Sequence, residues 1–194
     1  MHRICLLTLA APLAAIAFVS AAAGQTLPVT GEWNNNFFGS TGDIRGSLTI
    51  TEPTFNASLE FGGFVFGQSP GTDGFHEPIN LTGTINSDDS IDIDPVDDHP
   101  LFGDVTASVD AAGNVTGLLS DIPDPSIESV DVGGTLSDLM QFNLTYVVNF
   151  APNSGPGEVV DGTATITAVP EPTTGAILLL GGLAIAGRRG RRRG

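Results

Sequence analysis

The sequence predicts an all-β, antiparallel domain over residues 24–168, and three observations carry that reading. Apolar and polar residues alternate with a period of two in segment after segment. Turn-forming residues separate these segments at short intervals, and the 194-residue chain holds 25 glycines and 13 prolines. No internal stretch shows a 3.6-residue apolar period framed by helix caps.

The elements follow in order. Gly31-Glu32-Trp33 opens the domain, with Trp33 read as a core plug, and Ile44 to Ile50 alternates after it. Phe55 to Phe61 repeats the pattern and ends at Gly62-Gly63, and a second break follows at Ser69-Pro70-Gly71. Ile79 to Ile85 is the next strand. Val105 to Val109 and Val115 to Leu119 flank Asp110-Ala111-Ala112-Gly113, a tight hairpin in which Gly113 supplies a positive φ. Ile127 to Val132 is a weaker strand between Asp121-Ile122-Pro123-Asp124-Pro125 and the strongest one. That strongest segment is Met140 to Phe150, with Met140, Phe142, Leu144, Tyr146, Val148 and Phe150 on one face and Val147 as the exception on the other. Thr163 to Ala168 closes the domain after a Pro/Gly-rich break at 152–157. Asn-apolar-Thr recurs at Asn80, Asn114 and Asn143, at unequal intervals, which marks similar strands rather than a repeat.

One apolar and one polar face imply a sheet packed on one side and wet on the other. Eight or nine such strands suggest an antiparallel β-sandwich of jelly-roll type, with an up-and-down, lipocalin-like barrel as the alternative. The sandwich is the first choice; the support for the alternative is the early Gly31-Glu32-Trp33 and the run of sequential hairpins.

Charge is distributed unevenly. The chain has 7 basic and 22 acidic residues and no lysine. Residues 24 to 169 hold Arg45 alone against 21 carboxylates. That excludes nucleic acid as a partner, since phosphate binding needs clustered Lys and Arg, and it opposes docking of this region on anionic membranes.

The two ends are unlike the middle. Arg3 precedes an apolar stretch from Ile4 to Val19, and small residues follow, with Ala21 and Ala23 in an A-x-A arrangement. Residues 1–23 therefore read as a signal peptide cut by signal peptidase after Ala23. Cys5, the single cysteine, falls inside it, so the processed chain has neither a thiol nor a disulfide. At the other end, residues 169–194 run Val169-Pro170-Glu171-Pro172, then an uncharged apolar segment, then Arg188, Arg189, Arg191, Arg192 and Arg193. A transmembrane helix is expected over about 174–187. The unbroken apolar core 175–187 spans about 20 Å at ~1.5 Å per residue, against a hydrocarbon core of ~30 Å. Snorkelling arginines narrow the gap and keep the cluster cytoplasmic, which leaves residues 24 to 169 outside. The two prolines bar helix across the motif.

The order of Pro170-Glu171-Pro172, short apolar segment and terminal arginines resembles the PEP-CTERM sorting tail of exported proteins in Gram-negative bacteria. The resemblance covers about the last 26 residues. It implies processing by an exosortase, membrane anchoring through the tail before processing, and a cell-surface or extracellular-matrix destination afterwards. It also implies an association with exopolysaccharide or biofilm.

Candidate chemistry in the middle is sparse. Asp88, Asp89, Asp92, Asp94, Asp97 and Asp98 crowd one segment that ends at His99. Its two readings are a solvated acidic loop and a calcium site, without EF-hand spacing. No cofactor is otherwise required. His76 and His99 stand in no metalloprotease motif, and no nucleophile elbow is present. A non-enzymatic exported protein is the leading expectation, a carbohydrate- or small-ligand-binding module the second, and a secreted hydrolase the third. The aromatic group Trp33, Phe37, Phe38, Phe55, Phe61, Phe64 and Phe66 reads first as core. Asn34-Asn35-Asn36 beside Trp33 offers amides to sugar hydroxyls.

Overall fold

The computed structural model describes residues 24–137, 141–156 and 159–169. The expected signal helix and transmembrane helix lie outside the described residues, together with Ala21, Ala23, Pro170, Glu171, Pro172 and the arginines from Arg188 to Arg193.

The described residues are all-β and contain no helix. The strands are β1 (Gln25–Asn35), β2 (Thr41–Thr51), β3 (Thr54–Phe61), β4 (Ile79–Ile85), β5 (Ile91–Ile93), β6 (Val96–His99), β7 (Gly103–Val109), β8 (Asn114–Ser120), β9 (Ile127–Ser137), β10 (Gln141–Phe150) and β11 (Val160–Ala168). All pairings are antiparallel. The sheet runs β5-β4-β3-β2-β1-β11-β10-β9-β8-β7-β6, and β5 also pairs with β7.

Of the two arrangements open to the sequence, the up-and-down barrel is the one built, and the sandwich is not. Each strand bonds to its neighbour in the chain, whereas a jelly roll needs strands that cross to a second sheet. The first strand meets the last in register from Val29↔Ala168 to Asn35↔Gly162. Ile91↔Val109 and Asp92↔Ser108 close the remaining gap.

Most of the acidic segment is strand: Asp88 and Asp89 stand in the turn before β5, and Asp92, Asp97 and Asp98 lie in β5 and β6. β5 pairs with the far half of β7, and β6 pairs with the near half through Val96↔Val105 and His99↔Gly103. The two are halves of one bulged strand, interrupted at Pro95, which has no N–H to give the ladder. Counting them once gives a barrel of ten strands. Their short, aspartate-rich sequences hide them from a periodicity reading.

Alternation then sorts the side chains. Leu27, Val29 and Trp33 of β1 face Leu48 and Ile44 of β2 inside, while Thr26, Thr30, Thr49 and Arg45 point outward. Phe142, Leu144, Tyr146, Val148 and Phe150 take the inward face of β10, as the sequence predicts, and Val147 lies on the other face. The outer wall is Thr, Asn, Ser and Asp, the reverse of a lipid-facing barrel.

Both ends of the domain emerge at one end of the barrel. The Gly24 N–H donates to the Ile50 carbonyl at 3.2 Å, and the Val169 N–H to the Pro28 carbonyl at 2.9 Å. We call this the tail end and the other the loop end.

At the loop end Trp33 is the fixed point. Its indole N–H donates to the buried Gly62 carbonyl at 2.9 Å. Gly42, across the ladder from Trp33, leaves room for that ring; a Cβ there would collide with the Gly62 carbonyl and the indole nitrogen. Gly42→Ala is expected to cost about 2 kcal/mol or more by overpacking. Trp33→Phe keeps most of the volume but strands the Gly62 carbonyl, at about 1–3 kcal/mol. Urea unfolding of the two variants checks both figures.

Candidate functional site: the barrel lumen

The inward faces do not meet. They enclose a cavity of about 1470 Å³ running along the barrel. Small-molecule sites usually span ~300–1,000 Å³, so this lumen is large even for a binding protein. Its wall is almost wholly apolar, with Leu48, Phe55, Leu81, Val132, Leu144 and Ile166 among the lining residues. Small side chains keep it open: Ala57, Ala107 and Ala164 point inward where a leucine would fill space.

Energetics decide that this space is not an empty void. At ~24 cal/mol per Å³, a dry cavity of that volume would cost on the order of 35 kcal/mol. A domain has only ~5–15 kcal/mol of net stability. The lumen therefore holds water or a ligand, and apolar walls offer water few hydrogen bonds.

The two ends are built differently. At the loop end, connecting segments fold side chains into the barrel. Val65 comes from the β3–β4 connection, Leu101 and Phe102 from β6–β7, and Ile122 from β8–β9, and all are buried. Phe102 meets Phe61 edge-on at 5.0 Å and Phe66 at 6.0 Å. Phe66 reaches that position at φ 44, a costly conformation for a bulky residue. Arg45 ties the β3–β4 connection down from outside: it pairs with Glu60 and with Asp73, the latter at 2.6 Å, and lies 3.7 Å over the Phe75 ring. At the tail end, the turns at 51–54, 86–90 and 110–113 fold no buried side chain across the barrel. Glu52, Asn86, Asp89, Ala112 and Gly113 of these turns line the cavity mouth.

The residues singled out in the sequence are dispersed. Asp88 caps its own turn, accepting from the Ser90 hydroxyl at 2.7 Å and the Ser90 N–H at 3.2 Å, and these bonds hold its pKa below the usual carboxylate value. Asp92 accepts from the Asn86 amide at 2.9 Å and Asp94 from the Thr82 hydroxyl at 2.8 Å. Strand geometry spreads these carboxylates along the outer wall, and the described residues contain no group of three acidic, His or Cys side chains able to hold one ion.

Each of the three asparagines makes at least one hydrogen bond within the fold through its side chain, while the buried Asn34 Oδ1 has no partner. The Asn34 amide donates to the Thr163 hydroxyl at 2.9 Å and that of Asn36 to Asp161 at 3.2 Å. The Asn35 carbonyl oxygen accepts from the Phe37 and Phe38 N–H groups. The aromatic group divides: Trp33, Phe61 and Phe66 pack in the core, Phe55 lines the cavity, and Phe37, Phe38 and Phe64 are exposed. The histidines are structural as well. His76 Nε2 bonds the Gly63 carbonyl at 2.9 Å, and His99 Nδ1 accepts from the Leu101 and Phe102 N–H groups at 3.2 Å. The lumen itself was missed by sequence reading. Alternation predicts an apolar interior whether or not the interior is full.

Beyond Ala168 the comparison with known families applies. Residues 168–193 match the family model of the PEP-CTERM protein-sorting motif. The chain carries a PEP-CTERM sorting tail. The tail implies export, a C-terminus held in the membrane before processing, and an exosortase as the processing enzyme. No curated protein matches the chain. The PEP-CTERM tail begins at the last residue of β11, so almost no linker separates the barrel from its sorting signal.

His99 makes the loop-end plug sensitive to acid. Burial, the largest influence, pushes its pKa below the ordinary value; the Pro78 carbonyl and Glu77 pull the other way. The folded pKa lies below the unfolded value of about 6.5, so protons bind the unfolded chain first. The contribution is fully present above that value and is lost as the pH falls through it toward the folded pKa. Melting temperature should drop as the pH falls below about 6.5. His99→Asn, whose carbonyl oxygen still accepts the two N–H groups, should flatten that slope in a thermal melt series.

Proposed function

We propose that this chain is a non-enzymatic, exported protein of the cell surface or extracellular matrix whose barrel holds an apolar small molecule in its lumen. One observation carries the reading: an apolar cavity of about 1470 Å³ sits inside a barrel whose outer wall is polar. The hydrophobic effect draws apolar molecules out of water into such a space, at roughly 25 cal/mol per Å² of buried apolar surface. The sorting tail supplies the route and the address. No cofactor takes part in this reading. Signal peptidase and the exosortase are partners only in maturation, and any association with exopolysaccharide belongs to the mature surface form. The domain's acidity makes a neutral matrix polysaccharide the compatible one, or an acidic one bridged by divalent cations.

The lumen reading is tested with an apolar dye such as N-phenyl-1-naphthylamine. The protein should bind it with a blue-shifted rise in emission. Ala57→Trp or Ala107→Trp, which place an indole in the cavity, should weaken the rise while far-ultraviolet circular dichroism stays β-type. Equal dye binding by wild type and both variants would refute the lumen as the site.

Maturation has its own test. Intact mass of the surface form should lack both residues 1–23 and the arginine cluster. A surface form that retains Arg188 to Gly194 would overturn processing at the tail.

A further inference from the structure

We propose that the lumen takes an uncharged lipid chain, acyl or isoprenoid, directly from the membrane in which the tail is anchored, through the mouth at the tail end. The inference rests on the lumen reading above and adds the ligand class and its route.

The topology puts the mouth and the membrane at the same end. β1 starts there and β11 finishes there, and the Val169 N–H is still bonded to the Pro28 carbonyl one residue before Pro170. With only residues 170–174 between Val169 and the apolar core at 175–187, the tail-anchored barrel is held with its tail end toward the bilayer. The opposite end is narrowed by the buried side chains of Val65, Leu101, Phe102 and Ile122. The described turns of the tail end send nothing buried across the opening.

Inside the polar rim the lining of this mouth is mostly hydrocarbon. Ile50, Phe55, Ile85, Ile91, Val109 and Phe142 all line the cavity from the tail-end portions of their strands. A chain leaving the bilayer would pass from lipid to this wall without meeting a buried charge. The cavity has length as well as volume, since its lining runs from Val169 and Glu52 at one end to Phe38 and Phe64 at the other.

The rim selects by charge. Glu52, Asp88, Asp89 and Asp110 are exposed on the tail-end turns. Asp110 accepts from the Asn114 amide at 2.7 Å and from the Asn114 and Ala112 N–H groups, which hold it ionised. An anionic head group would face four carboxylates, so phosphatidic acid and similar lipids are disfavoured and a lipid with no net charge is admitted.

The experiment uses the signal-processed chain with its tail, reconstituted into phosphatidylcholine vesicles that contain a pyrene-acyl diacylglycerol. Withdrawal of single chains into the lumen should lower excimer emission and raise monomer emission. The signal-processed chain has no cysteine, so one can be placed at either end. Ala112→Cys labelled with a polyethylene-glycol maleimide should block withdrawal, and so should labelled Ser87→Cys at a second rim position. Labelled Phe38→Cys, at the loop end, should not. Tethering should speed transfer on the order of tenfold or more over the same protein without its tail. A pyrene-acyl phosphatidic acid should stay in the bilayer.

Block by the label at Phe38→Cys with none at Ala112→Cys or Ser87→Cys would overturn the route. Binding of N-phenyl-1-naphthylamine without lipid withdrawal would overturn the ligand class and leave the lumen reading standing. Failure of both dye and lipid to bind would overturn the two together.

Discussion

The pairing of β1 with β11 is the constraint on which the rest of this structure depends. It joins the first strand of the domain to the last, and with β5–β7 it turns an open meander into a closed barrel. Closure removes the unpaired edges that make open sheets prone to associate. It also fixes the interior. With ten strands paired side to side, the wall has a circumference that its inward side chains cannot fill. The cavity is thus a consequence of strand number, and the plug of buried side chains at the loop end narrows it there. That plug depends in turn on Trp33, because the indole bond to Gly62 sets where the β3–β4 connection leaves the barrel. From Gly62 the chain can bring Val65 and Phe66 inward.

Much of the wall was legible in the sequence, for a physical reason. In β10, from Phe142 to Phe150, one face meets apolar space and the other water, so alternation is enforced residue by residue. β2, β3, β4, β7 and β8 follow the same rule. β5 and β6 do not announce themselves, because three- and four-residue pieces rich in aspartate carry too few inward positions to show a period. Their existence is decided by partners: Ile91 and Val96 pair with Val109 and Val105, far along the chain. The choice of barrel over sandwich was illegible for the same reason. Periodicity says which side of a strand is dry, not which strand lies beside it. Candidate sites fared according to their surroundings. Asn34, Asn35 and Asn36 look like free amides in the sequence, and neighbours distant in the chain or in the next turn engage one side-chain group of each. The lumen leaves no mark, since an alanine facing empty space and an alanine facing a packed leucine are the same letter.

Charge and tether complete the argument. A barrel with threonine, asparagine and aspartate outside cannot enter a bilayer, and its acidic excess repels anionic surfaces. Left alone, such a domain drifts away from membranes. The tail reverses that with a separate apolar segment, and the near absence of linker means that it holds a particular end of the barrel close. Proximity and orientation then come from one feature. If the tail is removed during maturation, the same barrel is released with its polar wall outward and its lumen unchanged. On the proposed route, contact with the bilayer falls in the interval between export and processing, and the end that faces lipid is the one whose described turns send no buried side chain across the opening. On that route the barrel is filled at the one stage when it is held against the source.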